Sequence, residues 1–148
     1  MSKYFYRDKK VGVLGGGQLG RMLIQASIDL NVEIHILDPS PVAPCKPYAH
    51  HFVEGSLQDF DTVVSFGQDL DVITVEIEKV NVDALARLKE MGKDVYPDPE
   101  ILRMIQDKRE QKAYFKKKGY PTAEFELVEN REDVRQLGWM PAVNKIGR

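Results

Sequence analysis

A glycine-rich segment near the start of the chain has the composition and spacing of an anion-binding turn. Residues 15–20 read GGGQLG, so that Gly15, Gly17 and Gly20 satisfy the spacing GxGxxG. Glycines let the backbone turn tightly and approach an anion, and the N–H groups at a helix start favour negative charge. The segment therefore predicts binding of a phosphate-bearing small molecule. The alternative is that these glycines only permit close packing of a strand on a helix.

Acidic side chains stand where two of the apolar runs end. Asp38 ends the run 33–37, where an acidic residue bonds a ribose hydroxyl in dinucleotide sites, although Pro39 directly after it suits a turn equally well. Glu76 and Glu78 follow the run 72–75 and would share a face if that segment is extended. One of these glutamates could reach a ligand cleft. A solvent-facing pair of acids balanced by Lys79 explains them equally well.

Two lysines could contact a phosphate group. Lys145 alternates with Val143 in a predicted strand, and Lys108 follows a predicted helix cap. A lysine ammonium can pair with phosphate as a point charge. From the residues alone, an exposed surface lysine is the simpler interpretation of each.

A metal site is not predicted. Cys45, His50 and His51 lie close in sequence, but adjacent side chains in an extended segment point apart, and a second spaced pair of ligands is missing. His35 alternates within an apolar run, which is typical of a packing residue.

Alternating strands and helices must position these candidates. Strands are predicted at residues 11–14, 33–37, 51–54, 72–75 and 95–96, and helices after Gly20 and after caps at Asp59, Asn81 and Asp98, with a restart at Asp107. This order predicts an α/β fold, a Rossmann-like parallel sheet with helices on both faces. The first helix is expected to bury the apolar stripe Leu19, Met22, Leu23, Ala26 and Leu30.

Length and composition fit one domain and the start of another. We expect residues 1–96 to form the Rossmann-like domain and residues 97–148, after the proline-rich connector 97–99, to begin a second, incomplete domain with strands at 125–128 and 142–146 around a short helix near 132–137. The 148 residues carry a net charge of -2, which gives no general attraction for nucleic acid. No signal peptide or membrane span is expected, and the single Cys45 suits the reducing cytoplasm.

Six segments, in this order, resemble one enzyme family. They are GGGQLGRM at 15–22, LDP at 37–39, TVEIEKV at 74–80, YPDP at 96–99, IQDK at 105–108 and PAVNK at 141–145. Together they are similar to N5-carboxyaminoimidazole ribonucleotide synthase, an ATP-grasp ligase of de novo purine synthesis. The family is also named the ATPase subunit of phosphoribosylaminoimidazole carboxylase, and under that name it would be classed as a lyase. Dehydrogenases share the glycine spacing, but the glutamate pair and the Asp-Lys segment are not dehydrogenase features.

The resemblance implies a reaction and a set of contacts. ATP and bicarbonate would give carboxyphosphate, and the amine of aminoimidazole ribonucleotide would capture the released carbon dioxide. The ribonucleotide would contact Gly15, Gly17, Gln18, Leu19, Gly20 and Glu76, and ATP would contact Lys108 and Lys145, although members often have arginine at the position of Lys108. Residues 97–148 would begin an ATP-grasp domain.

The resemblance also implies parts that lie elsewhere. The catalytic residues and the ligands of Mg²⁺ are expected beyond Arg148, so that this chain would be a fragment that is inactive alone. The full-length enzyme is expected to be a homodimer.

Two other functions fit parts of the sequence. A nicotinamide-dependent oxidoreductase would use Gly15, Gly17, Gly20 and Asp38, although no hydride-transfer domain is recognisable. The second is a ribonucleotide-binding module without catalytic turnover.

Overall fold

The computed structural model describes residues 9–126 and Glu132. Strands and helices alternate along this part of the chain. The strands are β1 (Lys10–Leu14), β2 (Glu33–Asp38), β3 (His51–Glu54), β4 (Val72–Val75) and β5 (Asp94–Val95). The helices are α1 (Gln18–Ile28), α2 (Phe60–Gly67), α3 (Val82–Glu90), α4 (Pro99–Gln106) and α5 (Lys108–Lys118).

The five strands form one parallel sheet in the order β3-β2-β1-β4-β5. This confirms the prediction of a Rossmann-like parallel sheet. The strand order reverses at β1, because β2 lies on one side of it and β4 on the other. In sheets of this kind, ligands bind in the crevice beyond the carboxyl ends of the strands at such a reversal. The segments that follow β1 and β4 therefore border the expected crevice.

Each sheet face has its own apolar core, because successive side chains of a strand point to opposite faces. On one face, Val13 and Ile36 pack with Ile24 of α1. On the other face, Leu14 and Leu37 belong to a larger cluster that includes residues of α2 and α3. Helices thus cover both faces of the sheet, as the sequence predicts.

Helix starts agree with the predicted caps. A side-chain oxygen of each cap accepts a hydrogen bond from a backbone N–H group in the first turn, which satisfies a donor that has no partner within the helix. The bonds are Asp59 with Thr62 N at 2.8 Å, Asn81 with Ala84 N at 2.9 Å, Asp98 with Glu100 N at 3.0 Å and Asp107 with Arg109 N at 2.8 Å.

The predicted buried stripe of α1 is wrong. Leu19 and Met22 are 64% and 62% exposed, and Leu23, Ala26 and Leu30 are also exposed. The buried positions are Gly20, Ile24 and Ser27. A Cβ atom at Gly20 would lie 2.9 Å from Cys45 Sγ and 3.4 Å from Gly15 O, so this glycine allows α1 to approach both residues closely with Gly20 on its buried face.

The chain divides into two compact units between Arg103 and Met104. Leu102 of α4 is buried in the larger core of the first unit, and the division at residue 96 stays a prediction. In the second unit, α5 ends at Gly119, which has a φ of 69°. Phe125 and Glu126 are not in a strand, contrary to prediction. The remainder of that strand, the predicted strand 142–146 and the helix 132–137, Glu132 apart, lie outside the described residues.

Candidate functional site

The glycine turn connects β1 to α1 through a fixed set of backbone bonds. Gly15 has a φ of 108°, a conformation that strongly favours glycine, and its N–H donates to Leu37 O at 2.9 Å. Gly17 is the N-cap of α1, and the N–H of Arg21 donates to Gly17 O at 3.2 Å. The N–H groups before Arg21 therefore lie at the positive end of the helix dipole. This end of the helix can attract an anion.

The side chain of Glu76 lies against this turn. Its backbone N–H donates to Leu14 O at 2.8 Å, which extends the pairing of β4 with β1 by one residue. A Cβ atom placed on Gly17 would lie 2.5 Å from Glu76 Oε1, and one on Gly15 would lie 2.8 Å from Oε2. The absence of side chains at both glycines thus leaves room for the carboxylate. Glu76 is half-buried, whereas Glu78 is exposed.

Asp38, at the end of β2, is hydrogen-bonded to the glycine turn. The N–H of Gly16 donates to Asp38 Oδ2 at 2.7 Å, and the N–H of Ser40 donates to Oδ1 at 2.8 Å. Both carboxylate oxygens therefore accept backbone hydrogen bonds. This is the turn-forming role that Pro39 also indicates.

Cys45 is a member of the site that sequence reasoning missed. Its N–H donates to Gly16 O at 3.0 Å, and its thiol donates to Gly17 O at 3.3 Å. Burial raises the pKa of the Cys45 thiol, and the negative charges of Glu76 and Asp38 raise it further. The thiol is therefore neutral near pH 7 and acts as a small packing and donor group. Nothing in the sequence indicated this contact, because Cys45 lies in a proline-rich loop without a recognisable motif.

The candidates on α1 are accessible. Gln18 and Leu19 form the first turn of the helix, and both are exposed. Arg21, also missed, holds its guanidinium 4.8 Å from the centre of the Tyr48 ring. A cation in the first turns of the helix adds to the positive potential beside the glycine turn.

Of the two predicted ATP contacts, the structure describes Lys108. This residue begins α5 in the second unit, is exposed, and donates from Nζ to Gln111 Oε1 at 3.2 Å. Lys145 lies outside the described residues. Within the first unit the structure brings together the glycine turn and Glu76, and the role of Lys108 stays a prediction.

Three of the residues that were considered as metal ligands in the sequence have hydrogen-bond partners within the protein. His50 Nδ1 accepts a hydrogen bond from Ile34 N at 3.1 Å. Cys45 is bonded to the glycine turn, as described above. His35 is mostly buried and pairs with Glu33, its Nε2 lying 2.7 Å from Glu33 Oε1.

Comparisons with known proteins identify the family to which the chain is similar. The family model for the ribonucleotide synthetase preATP-grasp domain matches residues 8–106. Phosphoribosylaminoimidazole carboxylase, chloroplastic, of Vigna aconitifolia is 39% identical over 87% of this chain and 23% of its own length. N5-carboxyaminoimidazole ribonucleotide synthase of Staphylococcus haemolyticus is 30% identical over 87% of this chain and 35% of its own length.

A solved structure shows the same fold. The crystal structure of N5-carboxyaminoimidazole synthase from Aspergillus clavatus in complex with ADP and 5-aminoimidazole ribonucleotide has a TM-score of 0.79 and 34% identity. The match covers 90% of this chain and 36% of that one. The chain therefore spans between 23% and 36% of the length of these relatives.

Proposed function

The chain belongs to the ribonucleotide synthetase preATP-grasp domain family, and from this membership we propose that it provides the ribonucleotide-binding part of an N5-carboxyaminoimidazole ribonucleotide synthase. The observation that carries the proposal is the contact between the Glu76 carboxylate and the glycine turn, at the carboxyl edge of β1 and β4. The edge offers an anion-attracting helix start beside a hydrogen-bond acceptor.

In the proposed complex, each side of the site recognises a different part of the ligand. The N–H groups at the start of α1 and the helix dipole attract the phosphate, which the glycines let approach. Gln18 and Leu19 contact the ligand from the first helical turn. The Glu76 carboxylate accepts hydrogen bonds from a ribose hydroxyl or from the substrate amine, and such bonds to a charged acceptor are stronger than neutral ones.

The proposed reaction is an ATP-dependent carboxylation. The γ-phosphoryl group of ATP moves to an oxygen of bicarbonate, giving ADP and carboxyphosphate, which breaks down to carbon dioxide and phosphate. The amine nitrogen of the ribonucleotide then bonds to the carbon of carbon dioxide and loses a proton. Glu76 orients that amine in this scheme.

ATP and the remaining partners belong to the same proposal. Lys108 suits an ATP phosphate because its ammonium is exposed and pairs with a neutral amide. The proposal also includes Lys145, bicarbonate, Mg²⁺ with ATP and a homodimeric full-length enzyme, which rest on the resemblance in sequence. It includes a cytoplasmic location as well, which the single Cys45 suits. Among the described helices, none has the length and apolar character to span a bilayer.

The family match over residues 8–106 disfavours the oxidoreductase alternative. A dinucleotide site would need the Asp38 carboxylate to accept from a ribose hydroxyl. Each oxygen of this carboxylate accepts one backbone N–H group, from Gly16 and from Ser40, so formation of the turn accounts for an acidic residue at this position.

Titration calorimetry with two ligands tests the proposal. Aminoimidazole ribonucleotide is expected to bind the wild-type chain more tightly than a nicotinamide dinucleotide does. Glu76→Gln should weaken ribonucleotide binding by about tenfold, the equivalent of about 1.4 kcal/mol for one hydrogen bond to a charged group. Glu78→Gln, an exposed glutamate two residues away, is the matched control and should change the affinity less than about twofold.

One outcome would replace the proposal with the oxidoreductase. This is tight binding of the dinucleotide that is lost in Asp38→Asn and unaffected in Glu76→Gln. Circular dichroism of each variant separates a loss of binding from a loss of fold.

A further inference from the structure

Three side chains with metal-binding chemistry lie on neighbouring strands, away from the glycine turn. In the parallel pairing of β2 with β3, His35 is the register partner of His51. Glu33 precedes His35 by two residues on β2, so its side chain lies on the same face of the sheet. The sequence did not reveal this set, because only the strand pairing brings His51 beside the other two.

The ligand atoms of the three side chains converge. Glu33 Oε1 lies 2.7 Å from His35 Nε2 and 3.7 Å from His51 Nε2. The two imidazole rings stack with centroids 4.5 Å apart and planes inclined by 28°. One ligand atom from each residue can be chosen so that all three lie within 4.8 Å of one another.

We propose that Glu33, His35 and His51 form a binding site for a divalent transition-metal ion of the Zn²⁺, Co²⁺ or Ni²⁺ type. Two imidazoles and one carboxylate are a ligand set that such ions prefer, and water completes their coordination in open sites. Ca²⁺ and Mg²⁺ prefer sets made of oxygen ligands, so they are not expected to compete.

Small movements suffice to accommodate the ion. Metal–ligand bonds of about 2.1 Å in a tetrahedral site place neighbouring ligand atoms roughly 3.4 Å apart. The pair at 2.7 Å would open as the ion replaces the hydrogen-bonding proton, and the pair at 3.7 Å would close slightly. The side chain of His51 is 65% exposed and that of Glu33 is 38% exposed, so both have room to adjust around the mostly buried His35.

The protonation states near neutral pH favour metal binding. Burial lowers the pKa of His35, and the hydrogen bond with His35 lowers the pKa of Glu33. Metals bind the neutral imidazole and the ionised carboxylate, which are the forms that these shifts favour. The positive charge of Lys10, the register partner of Glu33 on β1, opposes the ion and limits its affinity.

The site is separate from the proposed ribonucleotide site. Glu33 begins β2 and His51 begins β3, whereas the glycine turn and Glu76 follow the opposite, carboxyl ends of β1 and β4. Metal binding can therefore be measured without substrate, and its failure would leave the ribonucleotide proposal untouched.

Titration of the chelator-treated protein with Co²⁺ and Zn²⁺ at pH 7.5 tests the site. We expect one ion per chain, with a visible absorption band for bound Co²⁺. His51→Ala should weaken binding by more than about tenfold, since even residues that only support ligands cost ten- to a hundredfold. Because the side chain of His51 is exposed, this variant is expected to keep the fold. Glu33→Gln, which keeps the shape of the side chain, should weaken binding similarly.

His50→Asn is the matched control. It removes the adjacent imidazole, and its amide oxygen can replace Nδ1 as the acceptor for the N–H group of Ile34, which lies between Glu33 and His35 on β2. The variant should alter metal affinity less than about twofold, provided that circular dichroism shows an intact fold. The proposal fails if the wild-type protein binds neither ion; the three side chains would then form only an ion pair beside two stacked rings. It also fails if His51→Ala and Glu33→Gln bind as the wild type does, or if His50→Asn reduces affinity as much as they do.

Discussion

Glu76 Oε1 lies only 2.5 Å from the point where a Cβ atom on Gly17 would stand. The two residues follow different strands, β1 and β4, which pair side by side in the sheet. The requirement for glycine at position 17 is therefore tied to the position of the carboxylate. Backbone conformation does not impose it, because the φ of Gly17 is -76°, a value that any residue adopts.

Gly17→Ala is expected to displace the Glu76 carboxylate while the fold survives. The clashing atom is the end of a flexible side chain, which can move at little cost in stability. The affinity for aminoimidazole ribonucleotide should fall by about tenfold or more, as in Glu76→Gln, because one variant displaces the charged acceptor and the other removes its charge. Calorimetry and thermal unfolding of the same samples check this. Unchanged affinity in a folded Gly17→Ala variant would show that the carboxylate position is unimportant.

Gly15→Ala is expected to behave differently from Gly17→Ala. Gly15 has a φ of 108°, so alanine would be strained there by about 1–3 kcal/mol, and its methyl group would also meet Glu76 Cβ at 3.1 Å. A fall in the free energy of unfolding, measured with urea, should therefore accompany the loss of binding. Equal stability of the two alanine variants would contradict this difference.

Local signals in the sequence were enough for the five strands of the sheet, the helix caps and the glycine turn. Asp59 and Asn81 cap helices through bonds that span three residues, so their role can be inferred from neighbouring residues alone. The buried face of α1 could not be inferred in this way, because it depends on the contact of Gly20 with Cys45, a residue 25 positions later in the sequence. The proximity of His35 to His51 depends likewise on strand register.

Asp38→Ala is expected to destabilise the fold. The variant leaves the N–H groups of Gly16 and Ser40 without their acceptor, and a buried donor without a partner costs about 1–3 kcal/mol. Urea unfolding measures the change. Asp38→Asn, which keeps one acceptor oxygen, should lose less. If Asp38→Ala is as stable as the wild type, the result would favour a ligand-binding role for Asp38 over a structural one.

Acid is expected to destabilise the chain through His35. Burial lowers the pKa of this imidazole from its ordinary value of 6.5, so the unfolded chain binds the proton first as the pH falls. Stability declines wherever the unfolded state binds more protons, here below about pH 6.5. The lowered pKa of Glu33 acts in the same direction at lower pH, below its ordinary value of 4.5.

Urea unfolding at pH 7.5 and 5.5, with a chelator present, measures this effect. The wild-type protein should lose more unfolding free energy between these two pH values than His35→Gln, which has no imidazole to protonate at this position. Equal losses in the two proteins would show that His35 does not contribute.

Cys45 is expected to report on the state of the glycine turn. It is the single cysteine of the chain and is fully buried, its thiol donating to Gly17 O at 3.3 Å. Alkylation by iodoacetamide needs the thiolate, and burial together with the charges of Glu76 and Asp38 holds the pKa of the thiol above its ordinary value of 9.0. The folded protein should therefore react more slowly than the urea-unfolded protein at every pH between 7 and 9.

Glu76→Gln removes one of the charges that raise this pKa, so it should increase the alkylation rate at pH 8, and Glu78→Gln serves as the matched control. The increase should be modest, since burial is the larger cause of the raised pKa and is unchanged.

A saturating ribonucleotide should slow alkylation of Cys45 in the wild type, because a ligand that binds only the closed turn lowers the population of open states in which Sγ is accessible. The same ligand should protect Glu76→Gln only at higher concentration, in proportion to its weaker binding. Protection at equal concentrations in both proteins would place the ligand away from Glu76 and contradict the proposed site.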